Sequence, residues 1–260
     1  MKKYFVIGNP ISHSLSPELH NFWIKKNNID ALYEKIKLEE TELEKFIKKL
    51  RNNQIHGINV TVPFKSKVIK YLDKLSLEVE TTGSVNTIYK NGDDIIGHNT
   101  DVAGFELGLR HSKINVLHKS ILILGAGGVV PSIIFSLLSM GCKKIFLSNR
   151  TIEKAEKIKE KFDDIDIIKW GEIPEFDIII NATSVGLKGD SLDLELNVKE
   201  KIFYDVIYNP KETQFLRKAK ETGNKTENGK LMFIYQANQS FSIWNNVIPK
   251  IDQEVLKILE

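Results

Sequence analysis

The stretch SILILGAGG, residues 120–128, decides the fold of the second half of the chain. Its four consecutive apolar residues at 121–124 predict a strand that is buried on both faces, as in a parallel sheet. The glycine turn that follows leads into a helical pattern, and Pro131 fits a first helical turn because the backbone N–H there has no partner. Backbone N–H groups and the helix dipole converge at such a turn, so the stretch predicts a site for a phosphate.

The glycine pattern matches dinucleotide binding at two of its three positions. Gly125 and Gly127 fit GxGxxG, whereas Val130 stands where a Gly or Ala lets the helix pack closely on the strand. A tight turn without a ligand is the alternative. Arg150 lies 25 residues after Gly125, where enzymes that use NAD commonly carry an acidic residue. An arginine there suits a 2′-phosphate and favours NADP. The alternative is an arginine that is merely exposed at a strand end and binds no ligand.

The composition describes a globular chain. The 260 residues are 42% hydrophobic, which suits one large domain or two smaller ones. The net charge of +3 comes from 37 basic and 34 acidic residues spread along the sequence, which argues against a nucleic-acid surface. Cys142 is the single cysteine, so an intrachain disulfide and a cysteine metal cluster are excluded.

The sequence contains no predicted membrane or export segment. The N-terminal apolar run is too short for a signal peptide, and no window approaches 18 uninterrupted apolar residues. We therefore expect a cytoplasmic protein without a membrane partner.

Strands and helices alternate along the chain. The first hundred residues predict a small α/β domain that ends near Asp101 and contains a hairpin at Asn91-Gly92. In the second half, strands separated by helix-length segments predict right-handed βαβ units and a parallel sheet. Beyond Gln236 the apolar residues form a helical stripe interrupted at Pro249, which could cap the second domain or return to the first.

A first polar cluster lies in the loop at residues 12–17, just beyond the first predicted strand. Its serines, including Ser14, could hydrogen-bond a polyol or a carboxylate, because ligands of open α/β sheets bind beyond the strand ends. Ser16 could instead serve as the N-cap of a helix that has Pro17 at its first position. His13 is a candidate acid–base group without an obvious partner.

A second cluster, NVTVPFK, ends at Lys65 and includes Thr61. We expect a helix over 64–72, which would place Lys65 in its first turn. A cation is disfavoured at a helix N-terminus, so this position would make the ammonium a readier proton donor. The alternative is an ordinary surface lysine.

A third cluster, GHNTD, ends at Asp101, at the junction of the two predicted domains. A carboxylate on the wall of a cleft there could pair with a lysine and fix its position. The competing interpretation makes Thr100 or Asp101 the N-cap of the next helix. Asn86 is similarly open between a turn residue and a ligand.

Nine motifs, in the same order along nearly the whole chain, resemble those of shikimate dehydrogenases. They are GNPISHSLSP, NVTVPFK, SVNT, GHNTD, LGAGG, NRT, NATSVGL, YDVIYNP and NGKLMFIYQA. The resemblance implies an α/β fold of two domains. Residues 1–101 would form the substrate and catalytic domain and residues 102–235 a Rossmann-like NADP-binding domain. The helical segment 236–260 would return to pack on the substrate domain.

The resemblance also implies an activity. Members are NADP-dependent oxidoreductases acting on a CH–OH group, which reversibly reduce 3-dehydroshikimate to shikimate in the chorismate and aromatic amino acid pathway. A small-molecule substrate and a monomer or homodimer are expected. One rival is a quinate/shikimate dehydrogenase that uses NAD. Another is a catalytically silent NADP(H)-binding regulatory module, which would be expected to lack Lys65 or Asp101, and both are present.

The resemblance assigns roles residue by residue. Lys65 and Asp101 would be the catalytic pair. The residues expected to hold the substrate are Ser14, Ser16, Thr61, Asn86, Asp101, Tyr208 and Gln236. The residues expected to contact NADP are Gly125, Ala126, Gly127, Gly128, Val129, Asn149, Arg150, Thr151, Lys154, Thr183, Val185, Val206 and Gly229. The chain departs from the family pattern at Val130, Pro131, Val206 and Asn228.

Overall fold

The computed structural model describes residues 1–194 and 196–259, so Glu195 and Glu260, which fall within the predicted domains, lie outside the described residues. The chain divides into two compact units. The first unit comprises residues 1–104 together with the C-terminal residues from Ile234 onward, and the second runs from Phe105 to Phe233. Among the described residues, no helix is both long and apolar enough to cross a membrane.

The first unit is built on a six-stranded mixed sheet. Its strands are β1 (Lys2–Gly8), β2 (Ala31–Lys37), β3 (Gly57–Val60), β4 (Lys74–Leu75), β5 (Thr87–Asn91) and β6 (Asp94–His98). Their spatial order is β2-β1-β3-β5-β6-β4. The strands β2, β1 and β3 are parallel, and the predicted hairpin at Asn91-Gly92 joins the antiparallel pair β5 and β6. Gly92 has a φ of +61°, which a glycine adopts without strain.

Six helices contribute to this unit. They are α1 (Ser16–Lys26), α2 (Leu43–Arg51), α3 (Leu77–Thr82), the start of α4 (Thr100–His111), most of α8 (Lys230–Asn245) and α9 (Gln253–Ile258). The C-terminal helices return to the first sheet, because the ring of Trp244 stacks on Tyr4 at 5.0 Å and its Nε1–H donates to the carbonyl of Ile88 at 3.2 Å. The alternative that they cap the second domain is therefore wrong.

Two local predictions in this unit are wrong. Residues 64–72 form turns and a short 3₁₀ segment, Ile69–Tyr71, instead of a helix. In this segment the Lys65 carbonyl is bonded to a distant part of the chain, accepting from the Val85 N–H at 2.9 Å. Ser16 is also not an N-cap: Leu15 occupies that position, and Ser16 begins the helix itself.

The second unit contains a six-stranded sheet that is parallel throughout. Its strands are β7 (Ser120–Leu124), β8 (Lys144–Ser148), β9 (Ile165–Ile168), β10 (Ile178–Asn181), β11 (Ile202–Asp205) and β12 (Lys225–Glu227). The helices α5 (Val130–Ser139), α6 (Ile152–Lys159) and α7 (Gln214–Glu221) alternate with them. The order β12-β11-β10-β7-β8-β9 is that of a Rossmann fold, with the topological switch point between β7 and β10.

The predicted buried strand lies at the centre of this sheet. Ile121 to Leu124 are each at most 1% exposed, as expected for a strand that is covered on both faces. Val130, at the third position of the glycine pattern, is fully buried at the start of α5. The parallel sheet predicted from SILILGAGG is therefore confirmed.

Candidate functional site

Lys65 and Asp101 form a buried ion pair in the first unit. The Lys65 Nζ donates to Asp101 Oδ2, and the two side chains are only 14% and 8% exposed. Lys65 follows β3, whereas Asp101 lies in the first turn of α4, so 36 residues of chain separate the partners. The pair unites the second and third polar clusters of the sequence.

Asn86 fixes the second oxygen of the same carboxylate. The Asn86 Oδ1 accepts from the Thr100 N–H at 2.7 Å, and because an N–H can only donate, this contact settles which way the amide faces. The Asn86 Nδ2 therefore donates to Asp101 Oδ1 at 2.9 Å. Both oxygens of Asp101 therefore accept hydrogen bonds, which fixes the carboxylate in one orientation.

The backbone around this carboxylate is tied together by the strand pairing. The Val60 N–H donates to the Asn86 carbonyl at 2.8 Å, and the Asn86 N–H donates to the His98 carbonyl at 3.1 Å. Together with the bond from Val85 to Lys65, these contacts hold the ends of β3, β5 and β6 side by side. Residues that are far apart in sequence thus come together at the ends of these three neighbouring strands.

The start of α4 has a cap that the sequence interpretation missed. Thr100 and Asp101 are both inside the helix, so neither is its N-cap. The Asn99 Oδ1 instead accepts from the Asp101 N–H at 3.1 Å, and the Asn99 N–H donates to His98 Nδ1 at 2.8 Å. Burial lowers the pKa of His98, which keeps that ring nitrogen available as an acceptor. Because Asn99 caps the helix, the Asp101 side chain is not used as a cap and pairs with Lys65.

The remaining predicted substrate residues of the first unit lie in three places. Gln236, on α8, contacts Asn86, whose Nδ2 lies 3.4 Å from Gln236 Oε1. Ser14 and Ser16 lie together at the start of α1, where the Ser14 Oγ accepts from the Ser16 N–H at 3.3 Å. Thr61 follows β3, and its N–H donates to the Ile7 carbonyl at 2.9 Å.

In the second unit, the glycine turn follows β7 as predicted. Gly125 has a φ of +106°, and a Cβ added there would approach the Ala182 carbonyl oxygen to 2.8 Å, so only glycine fits. Gly127 and Gly128 are exposed, and no heavy atom lies within 4 Å of a Cβ built on Gly128. The turn between β7 and α5 is therefore exposed at a helix N-terminus, which is where an anion binds.

A basic segment follows the neighbouring strand β8. Arg150, Thr151 and Lys154 are exposed at the start of α6, and Asn149 donates its Nδ2 to the Thr151 carbonyl at 2.7 Å. In the part of the chain that the structure describes, no acidic side chain lies within ion-pair distance of Arg150 or Lys154. Two cations without an acidic partner suit a second phosphate.

Two further strands of this unit end in a buried polar network that sequence reasoning did not single out. Asp205, at the end of β11, is fully buried and accepts from Thr213 Oγ1 at 2.6 Å, the Ile207 N–H at 3.0 Å and Asn181 Nδ2 at 3.2 Å. Burial raises the pKa of Asp205, and the three donors oppose that shift. Asn181 in turn accepts from the Thr183 hydroxyl at 2.7 Å.

The network leads directly to the predicted cofactor residues of this region. The Asn181 Nδ2 donates to the Val185 carbonyl at 3.1 Å, so the Asn181 side chain bonds to both Thr183 and Val185 and fixes the loop that carries them. Val206 and Gly229 lie in contact, because a Cβ on Gly229 would come within 2.1 Å of the Val206 carbonyl oxygen. Tyr208 stacks on Phe233 at 4.4 Å. A polar residue at the end of an otherwise apolar strand, as at Asn181, was the available sequence signal.

Comparisons with known proteins agree on one family. Residues 6–88 match the family model described as the shikimate dehydrogenase substrate binding domain, and residues 108–187 match that described as shikimate / quinate 5-dehydrogenase. The chain is 55% identical over 267 residues to the shikimate dehydrogenase (NADP(+)) of Pelagibacter ubique, and the alignment covers 100% of both chains. The chain belongs to the shikimate dehydrogenase family. The resemblance inferred from the nine motifs is thereby confirmed.

Solved structures of the shikimate dehydrogenase family share the fold. The enzyme of Listeria monocytogenes, solved with shikimate and NAD, has a TM-score of 0.91 at 33% identity and covers 100% of this chain and 96% of its own. That of Thermus thermophilus, solved with NADP(H) and shikimate, has a TM-score of 0.89 at 30% identity, covering 100% and 97%. The predicted fold class, α/β with a Rossmann-like domain and a C-terminal helix that returns to the first, is confirmed.

Proposed function

We propose that this chain is an NADP-dependent shikimate dehydrogenase, which reversibly reduces 3-dehydroshikimate to shikimate on the route to chorismate and the aromatic amino acids. The observation that carries the proposal is the buried pair of Lys65 and Asp101, with the Asn86 amide on the second carboxylate oxygen. A carbonyl reduction needs a positioned proton donor, and an oriented ammonium supplies one. The names of the relatives support the same activity.

We assign substrate binding to seven residues by resemblance to the family. They are Ser14, Ser16, Thr61, Asn86, Asp101, Tyr208 and Gln236. The contact of Asn86 with Asp101 and that of Gln236 with Asn86 support their assignment. The domain limits at residues 101 and 235 belong to the same proposal.

The second unit has the features that an NADP cofactor requires. The exposed glycines Gly127 and Gly128 suit a pyrophosphate, and the exposed charge of Arg150 suits a 2′-phosphate. The residues assigned to the cofactor are Gly125, Ala126, Gly127, Gly128, Val129, Asn149, Arg150, Thr151, Lys154, Thr183, Val185, Val206 and Gly229. When bound, NADPH supplies the hydride for the reduction.

Lys65 has the central role in the proposed mechanism. As the ring carbonyl of the substrate becomes an alcohol, negative charge grows on its oxygen, and the Lys65 ammonium stabilises that charge and donates a proton to it. Both oxygens of Asp101 accept hydrogen bonds, and the carboxylate holds the Lys65 amine in place. In the reverse direction, neutral Lys65 accepts the proton from the substrate hydroxyl.

The direct test is the reduction of NADP⁺ by purified protein with shikimate, followed by absorbance. We expect turnover with shikimate and NADP⁺ and a lower kcat/KM when quinate or NAD⁺ replaces either one. A higher kcat/KM with quinate or with NAD⁺ would instead favour the quinate/shikimate rival. Binding of NADP⁺ without turnover on any cyclohexene acid would favour the silent regulatory module.

Arg150 provides a test of cofactor choice. Replacing it with alanine removes a charge-assisted hydrogen bond of roughly 1.5–3 kcal/mol, so kcat/KM for NADP⁺ should fall about tenfold to a hundredfold. The kcat/KM for NAD⁺ should stay close to that of the wild type, because NAD⁺ lacks the 2′-phosphate. The control is Lys157→Ala on α6, which removes an exposed cation that has no assigned role. Equal losses with both cofactors would show that Arg150 does not bind the 2′-phosphate.

The cellular location, assembly state and partners of the enzyme are also part of the proposal. We expect a cytoplasmic protein that acts as a monomer or homodimer on a small-molecule substrate, without a nucleic-acid or membrane partner. Sedimentation equilibrium of the purified protein distinguishes the two assembly states.

A further inference from the structure

Asn181 and Asp205 are the last residues of two neighbouring strands in the second sheet. They are direct partners in the parallel pairing of β10 and β11, and Asn181 also pairs with Leu124, the last residue of β7. The topological switch point lies between β7 and β10, and ligands of open α/β sheets bind beyond the strand ends there. Both side chains are fully buried, although both are polar. A buried amide and a buried carboxylate therefore lie side by side at the edge of the sheet where a cofactor is expected.

The orientation of the Asn181 amide is determined by its partners. Its Oδ1 accepts from the Thr183 N–H at 3.1 Å, and because an N–H can only donate, the oxygen must face Thr183. The Nδ2 therefore faces Asp205, 3.2 Å from each carboxylate oxygen, and also donates to the Val185 carbonyl at 3.1 Å. An amide nitrogen carries two hydrogens, so one is donated to the carboxylate and the other to the loop. Asn181 thus connects Asp205 to Thr183 and Val185.

The loop that follows β10 lies against the glycine turn. A Cβ built on Gly125 would lie 3.0 Å from the Thr183 methyl group and 2.8 Å from the Ala182 carbonyl oxygen. Within the loop, the Thr183 hydroxyl donates to Asn181 Oδ1 at 2.7 Å and accepts from the Val185 N–H at 3.1 Å. A shift of the Asn181 amide would therefore move Thr183, and with it one wall of the turn that is assigned to the pyrophosphate.

The carboxylate of Asp205 is itself held on both oxygens. Its Oδ1 accepts from the Ile207 N–H at 3.0 Å, and its Oδ2 accepts from the Thr213 hydroxyl at 2.6 Å. Thr213 is the N-cap of α7, where its oxygen accepts from the Leu216 N–H at 3.4 Å, so its hydroxyl hydrogen is available to Asp205. A buried carboxylate is costly unless it is hydrogen-bonded, and this one accepts from every group that faces it in these contacts. An amide at position 205 would instead place an NH₂ group against one of these donors.

We propose that Asp205 is a positioning residue for cofactor binding, which acts through the Asn181 amide to hold Thr183 and Val185 beside the glycine turn. This inference rests on the proposed function, because Thr183 and Val185 are cofactor residues only by that assignment. Asp205 is fully buried and does not itself touch the cofactor. Its effect is therefore on cofactor affinity and not on the chemical step, since the proposed proton donor belongs to the first unit.

The test is Asp205→Asn, which keeps the size of the side chain and replaces one acceptor oxygen with a donor. The Kd for NADP⁺, measured by titration calorimetry, should rise about threefold to thirtyfold, which is part of the value of a hydrogen bond to a charged group. The Kd for NAD⁺ should rise by the same factor, because both cofactors contain the pyrophosphate. The kcat at saturating NADP⁺ and shikimate should remain close to that of the wild type. A rise for NADP⁺ alone would overturn the proposal.

Thr213→Val is a matched control. It removes the hydroxyl that bonds the same carboxylate and caps α7, and it keeps the methyl group that packs 3.0 Å from a Cβ built on Gly186. The contact between Asp205 and Asn181 is left intact. Melting curves should show a loss of stability in this variant, whereas its Kd for NADP⁺ should match wild type. An equal rise of the Kd in both variants would show that affinity only follows stability, and would overturn the proposal.

A double-mutant cycle with Asn181→Ala shows whether Asp205 acts through the amide. If it does, adding Asp205→Asn to Asn181→Ala should raise the Kd for NADP⁺ little further. Fold-changes that simply multiply would overturn the proposal, as would an unchanged Kd in Asp205→Asn alone. Should Asp205→Asn not fold, Asp205→Ser takes its place, because it removes the carboxylate without adding an amide donor. If neither variant folds, Asp205 is required for folding and the positioning role is overturned.

Failure of the proposed function gives a different result. A wild-type protein that binds NADP⁺ but does not oxidise shikimate would contradict the dehydrogenase activity, while the same calorimetric comparison of variants would still decide the role of Asp205. A normal dehydrogenase whose Asp205→Asn variant binds NADP⁺ as the wild type does would overturn the positioning role alone. A wild type that does not bind NADP⁺ would overturn both.

Discussion

Replacement of Lys65 by alanine is expected to lower kcat for shikimate oxidation by about 10²- to 10⁴-fold, the usual contribution of a positioned acid–base group. The KM for shikimate should change little, because the proton transfer that is lost occurs only on the way to the transition state. The structure supports this expectation, since the amine is buried and Asp101 holds it. The measurement is the rate of NADP⁺ reduction at saturating shikimate.

Lys67→Ala provides the control for this prediction. Lys67 lies two residues further along the same turn, is more exposed and pairs with Glu40. Its replacement should leave kcat nearly unchanged, because exposed ion pairs contribute little. A Lys65→Ala variant that keeps more than about a tenth of the wild-type kcat would disprove the assigned role. Melting curves of both variants are needed, because the loss of Lys65 leaves the Asp101 carboxylate with the Asn86 amide as its remaining side-chain donor.

The second large effect concerns the stability of the first unit in acid. His20 is 1% exposed, and neither of its ring nitrogens has a hydrogen-bond partner among residues 1–194 and 196–259. Its ring contacts are aromatic, with Tyr33 stacked at 4.1 Å and Trp244 at 5.6 Å. Burial lowers the pKa of His20 to about 3 from its ordinary value of 6.5. The folded protein therefore contains neutral His20 well into the acid range.

Acid should therefore favour the unfolded chain. Unfolded His20 binds a proton below about pH 6.5, whereas the folded ring does not until about pH 3, so unfolding takes up a proton between these values. Stability is lost as the pH falls through this window, by about 2.5 kcal/mol between neutral pH and pH 4.5 from this group alone. Urea unfolding followed by the fluorescence of Trp23 and Trp244, which flank the ring, measures the effect.

His20→Phe isolates this contribution, because it keeps a flat ring in the cluster and removes the titrating group. Whatever its stability at neutral pH, the variant should lose about 2.5 kcal/mol less than wild type on acidification to pH 4.5. His13→Gln, at an exposed loop histidine, should follow the wild-type curve. Parallel curves for His20→Phe and wild type would show that His20 does not govern the response.

The sequence alone was sufficient to predict those features that depend on a local pattern of residues. The apolar run before Gly125 specifies a central parallel strand, because a strand that is buried on both faces cannot alternate polar and apolar residues. The hairpin at Asn91-Gly92 follows from a backbone conformation that glycine tolerates. The order of nine short motifs was enough to recognise the family, and with it the expected pairing of Lys65 with Asp101.

Only the tertiary structure decided how those residues are held. A helix over 64–72 was a reasonable prediction from local spacing, but the segment forms turns and a short 3₁₀ segment, and its Lys65 carbonyl accepts from Val85, 20 residues away. Likewise Ser16 has the residue type and place of an N-cap, yet Leu15 occupies that position and Ser16 lies inside the helix. Hydrogen bonds between distant segments depend on which strands become neighbours, and residue order along a single strand does not carry that information.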